Sequence, residues 1–124
     1  MKKLFSLAAL AVMFVACGSD APDIVVKKHI NAFMVGDGKE AAKYVHFESE
    51  DEKKEFIKDL TENAGDIKRS IAKQGIELVN TFVINESETQ ANVSVVMKKY
   101  GRTDDSEVGL TKINGTWYMD YPFK

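Results

Sequence analysis

The sequence predicts an α+β domain in which N-terminal helices pack on a four-stranded antiparallel sheet. Three observations carry this expectation. Apolar residues recur at helical spacing up to about residue 74, the spacing changes to two after Gly75, and an Asn114-Gly115 pair joins the last two alternating runs. Helices followed by strands, without βαβ alternation, make a layered α+β arrangement, because one face of such a sheet must be covered.

The first 16 residues stand apart from that domain. Lys2 and Lys3 precede an apolar run from Leu4 to Ala16 that only Ser6 interrupts. Thirteen helical residues reach about 20 Å, short of a ~30 Å hydrocarbon core, so the run reads as a signal segment and not as a membrane span. The organisation expected is a signal over 1–16, a short tether over 17–21 and one domain over 22–124. Of the 124 residues, 108 remain after the signal, and the net charge of −2 becomes −4 once Lys2 and Lys3 are gone. A mildly acidic domain offers no electrostatic footprint for nucleic acid. Cys17 is the only cysteine, so the domain must stand without a disulfide.

Each element follows from local chemistry. Pro22 suits a first helical turn and Asp23 complements the helix dipole there. The first helix is expected to run to about Val35, with Val26, Ile30, Phe33 and Met34 on its buried face. Gly36-Asp37-Gly38 stops it, and a short second helix follows over about Lys39–Val45. Ser49 and Glu52 have capping-box spacing, so a third helix begins near Glu50. It presents Phe56, Ile57 and Leu60, breaks near Gly65, continues through Ile67 and Ile71, and ends at Gly75. Strands are expected over Gly75–Ile84, Thr89–Tyr100, Glu107–Ile113 and Thr116–Tyr121, with Gly101–Ser106 as a polar turn.

Phe14-Val15-Ala16-Cys17-Gly18-Ser19 resembles a bacterial lipobox, although Phe14 stands where Leu is usual. The resemblance implies that Cys17 becomes the mature N-terminus and carries acyl chains on sulfur. Cleavage after Gly18 by ordinary signal peptidase is the alternative, and it would discard Cys17. Two or more acyl chains hold a protein durably on a leaflet, where one does so marginally. Gly18 in place of Asp favours the outer membrane over the inner.

Gly36-Asp37-Gly38-Lys39 and the closing Lys112-Ile113-Asn114-Gly115-Thr116-Trp117-Tyr118 resemble the NTF2-like superfamily, most closely small bacterial lipoproteins with the DUF4878 domain of unknown function. That resemblance implies a curved sheet wrapped around the first helix as a cone, with a pocket at its mouth. It brings no catalytic residues, and fold alone does not choose a function.

Tyr44, Trp117, Tyr118 and Asp120 are the candidate pocket residues. An isomerase-like site would need an Asp base beside a buried acid; Asp120 lies between two tyrosines but shares a face with Tyr118, opposite Trp117 and Met119. Trp117 reads more readily as a core plug than as a stacking platform. His29 and His46 are 17 residues apart, without cysteine or histidine at ligand spacing, and His29 reads as a boundary residue of the first helix. The run from Glu48 to Glu52 lacks the alternating ligands and central Gly of a calcium loop. The expectation is therefore a non-enzymatic envelope module with no metal or cofactor, held to the membrane through its lipid. It binds a small apolar ligand or an envelope protein. An enzyme acting on a small hydrophobic substrate and a sheet-paired homodimer are the alternatives.

Overall fold

The computed structural model describes residues 20–121; the signal segment and Cys17 lie outside the described residues. Helix α1 spans Pro22–Met34, with Pro22 in its first turn and Asp23 at its positive end. Its buried residues are Pro22, Val25, Val26, His29 and Ala32. This face is rotated from the expected one, since Phe33 is 38% exposed and Met34 half-buried. His29, expected at the boundary, is buried instead, because its ring turns inward to donate from Nδ1 to the Ala41 carbonyl at 2.8 Å.

Gly36 has φ +74°, and a Cβ there would come within 2.4 Å of the Ala64 Cβ. The α1 exit thus needs glycine for its conformation and for the close approach of a later helix. Helix α2 spans Gly38–Ala42, capped by the Asp37 side chain. The expected extension to Val45 does not occur: Val45–His46 form strand β1, paired in parallel with the last strand at Met119 and Asp120. A buried β-branched Val45 is accommodated better beside that strand than in a five-residue helix. Helix α3 spans Glu50–Glu62, with Ser49 Oγ accepting from the Glu52 amide and Glu52 Oε1 accepting from the Glu48 amide. Helix α4 spans Ala64–Gln74 and closes at Gly75, which is left-handed.

Strands β2 (Glu77–Glu86), β3 (Gln90–Lys99), β4 (Arg102–Ile113) and β5 (Thr116–Asp120) follow as an antiparallel meander. With β1 the sheet has five strands in the order β1-β5-β4-β3-β2, one more than expected. The polar segment expected as a turn over Gly101–Ser106 belongs almost wholly to β4, because Tyr100 and Gly101 alone make the reversal at φ +54° and +76°. Asn114 (φ 51°) and Gly115 (φ 81°) make the second tight hairpin, both central residues left-handed as a type I′ turn requires. Two register irregularities, between Leu78 and Asn80 and between Val83 and Asn85, interrupt the β2–β3 ladder.

The sheet's inner face presents Ala91, Val93, Val95, Leu110, Trp117 and Met119, which bury against Val25 and Val26 of α1. A second small cluster joins Ala32, Ala41 and Leu60 beneath α3. Among the described residues these two clusters make up the core.

Candidate functional site

Helix α1 lies across the inner face of the sheet, and α4 packs beside it. Between them the side chains do not close. A cavity of about 330 Å³ remains, bounded by Ile30, Phe33 and Met34 of α1 and by Ile67, Ser70 and Ile71 of α4. Ile76 and Met97 form the sheet side, and His29 is the remaining polar neighbour. Of the residues expected on the buried face of α1, Ile30, Phe33 and Met34 line this space.

A second recess, about 480 Å³, lies on the other side of Phe33 and Ile67, which line both. Its floor is apolar and aromatic: Phe33, Phe56, Leu60, Ile67 and Tyr121. Phe56 meets Tyr121 edge-on at 6.0 Å, and Phe47 packs on Tyr121 at 4.9 Å. Its rim is polar, comprising Glu52, Glu55 and Asp59 of α3 and Asn63 just beyond that helix.

His29 sits behind the wall between the two spaces, its ring centroid 6.2 Å from Phe33 and 6.3 Å from Phe56. Because a carbonyl only accepts, the neutral ring holds its proton on Nδ1. Burial pushes its pKa below the ordinary histidine value, and the bond to Ala41 opposes that shift without overcoming it.

The four residues expected at a pocket are dispersed. Tyr44 donates from its hydroxyl to Glu40 Oε2 at 2.7 Å, and this bond pushes its pKa up to about 12. The same bond, followed by Lys43, holds the Glu40 carboxyl below its usual value. Trp117 is 3% exposed inside the core, with Lys112 Nζ 5.3 Å from its ring. Tyr118 borders a shallow groove with His46, Phe47 and Lys53. Asp120 lies on the outer face of the sheet, accepts from Thr111 Oγ1 at 2.7 Å, and borders a polar depression with Asn85 and Asn92. None of the four lines the apolar cavity or the recess beside it. Of the residues that do so, Ile30, Phe33, Met34, Phe56, Leu60, Ile67 and Ile71 were legible as apolar helix positions and Met97 as an apolar strand position. No local signal told that they would remain unfilled, since this depends on how α1 and α4 meet.

Among the described residues no cluster of three His, Cys, Asp or Glu side chains is placed to hold a metal ion, and no helix is long and apolar enough to cross a membrane.

No protein-family model matches the sequence, and no curated protein matches it. Solved structures do resemble it. One is a crystal structure from Campylobacter jejuni described as an NTF2-like transpeptidase, with TM-score 0.61 and 19% identity, covering 82% of this chain and 98% of that one. At this identity the likeness concerns the fold, which is the NTF2-like one: helices packed on an open curved sheet.

Proposed function

We propose that this chain is a lipid-anchored, non-enzymatic module of the bacterial cell envelope, of the DUF4878 lipoprotein kind, whose cavity between α1 and α4 takes a small apolar ligand. The observation that supports the ligand is the cavity itself. Seven of its nine lining side chains are Ile, Met or Phe, and only His29 and Ser70 are polar. An open cleft lined in this way favours an apolar guest. The anchor rests on the lipobox-like Val15-Ala16-Cys17-Gly18, and its tether of a few residues would hold the domain close to the leaflet, with the outer membrane favoured.

Acyl transfer, the chemistry in the neighbour's name, has a weaker footing in this chain. Ser70 and Lys73 have the spacing of an S-x-x-K nucleophile motif, and Ser70 borders the cavity. Its Oγ, however, accepts from Gln74 Nε2 at 2.9 Å, and an amide cannot take its proton, while Lys73 is solvent-exposed.

The test is native mass spectrometry of the protein extracted from membranes. An apolar molecule of constant mass is expected on the intact chain, and Cys17→Ala is expected to abolish acylation and detergent-phase partitioning. Repeatedly empty spectra would refute the ligand, and unaltered partitioning of Cys17→Ala would refute the anchor.

A further inference from the structure

We infer that the edge of the sheet formed by β2, where Val79, Phe82 and Ile84 stand exposed, lies against the leaflet that holds the acylated Cys17. The inference rests on the lipid-anchor reading above and is independent of any ligand. On β2, Leu78 and Val83 pack on the core, and the buried Thr81 donates from Oγ1 to the Asp23 carbonyl of α1 at 3.0 Å. Val79, Phe82 and Ile84 each follow one of these inward residues, so strand alternation turns them to the opposite face. There they are 54%, 46% and 47% exposed. Together they make an apolar stripe about 16 Å long, on a strand with no neighbour beyond it among the described residues.

The length of chain before α1 identifies the occupant. From Cys17 to Asp20 the backbone can reach at most about 10 Å, so the start of α1 cannot stand far from the leaflet that holds the anchor. That start is where β2 meets the helix: Thr81 is bonded to the first turn of α1, and Ile24 of the same turn is exposed. Exposed apolar side chains beside an anchor suit the boundary between headgroups and acyl chains. A second copy fits the strand less well. Antiparallel pairing of two β2 strands in full overlap sets each Glu77 opposite the other copy's Glu86, which places like charges together at both ends. The irregularities around Val79 and Ile84 also spoil the flat edge that such pairing needs. A leaflet demands no register. The stripe itself carries no charge, so zwitterionic lipid suffices.

The experiment uses the full chain, expressed with its signal, extracted in detergent and reconstituted into phosphatidylcholine vesicles. Val79→Cys and Ile84→Cys each carry a nitroxide, as does Lys58→Cys at an exposed control position on α3. Acylation leaves Cys17 without a thiol to label. In vesicles the two β2 labels are expected to lose most of their collisions with a water-soluble nickel complex and to gain collisions with oxygen. The label on α3 should keep its aqueous profile. Adding Phe82→Asp should return the Val79→Cys label toward the aqueous profile without releasing the protein from the vesicles. Equal nickel accessibility at all three positions overturns the docking edge and leaves the anchor standing. Spin–spin broadening at Ile84→Cys with no gain in oxygen collisions places a second copy on the stripe and overturns it as well. A chain whose mass shows no acylation overturns both the edge and the anchor.

Discussion

At the scale of single residues, burial and hydrogen bonding separate two side chains that look equally functional in the sequence. His29 is held neutral by burial, so the folded state binds its proton less readily than the unfolded chain does. Its contribution to stability is fully present above the unfolded value near pH 6.5 and is lost as pH falls through the lower folded value. Urea titrations at stepwise lower pH should show this loss, and His29→Gln should flatten that part of the profile; an unchanged slope would contradict it. Tyr44 is the opposite case. Its proton is held so firmly by the charged Glu40 that it can act neither as base nor as nucleophile near neutrality. Tyr44→Phe should therefore cost about 0.5–1.5 kcal/mol of stability, as loss of one hydrogen bond does, without altering ligand affinity. Equilibrium unfolding beside ligand titration checks both halves. The aromatic character of Tyr44 was plain in the sequence, but its partnership with Glu40 depends on how α2 runs into β1.

Elements with a local cause were legible, and those with a tertiary cause were not. Ser49 and Glu52 announced the start of α3, and Asn114-Gly115 announced the last hairpin, because each is a short-range arrangement that needs no distant partner. Strand β1 has two residues, too few to display alternation, and exists because β5 offers an edge at Met119 and Asp120. The polar start of β4 was concealed for a related reason: Arg102–Glu107 is exposed throughout, so pairing with β3, and not burial, makes it a strand. Gly36 joins both kinds of cause, stopping α1 locally and admitting Ala64 from α4. Gly36→Ala should lose about 2–4 kcal/mol from left-handed strain plus the collision. Adding Ala64→Gly should restore part of that loss, since it removes the nearer of the two atoms in conflict. A chemical denaturation cycle over the four proteins separates the two contributions, and strict additivity would show that no collision exists.

Across the whole molecule, the same five-stranded sheet that packs tightly on the first half of α1 leaves its second half underpacked. Val25 and Val26 are sealed against β3 and β5, whereas Ile30, Phe33 and Met34 border open space. Core residues of that kind normally collapse together, because unfilled volume forfeits dispersion contacts. The sequence showed how many apolar residues the helices carry but not that the contact between α1 and α4 would leave a gap, so the cavity could not be read from it. If the space is retained for a ligand, filling it should trade binding for stability. Ser70→Leu places an apolar side chain into the chamber and loses the bond from Gln74. Apolar burial of about 1.5–3 kcal/mol then exceeds a hydrogen bond of about 1 kcal/mol. The variant should melt several degrees higher than the parent in the absence of ligand. The parent should gain more when ligand is added: about 2.7 kcal/mol at a hundredfold excess over Kd, while the variant's melting point stays fixed. Scanning calorimetry of both proteins with and without decanol as the apolar probe measures the four values. A Ser70→Leu protein that still responded fully to the ligand would show that the chamber is not where the ligand sits.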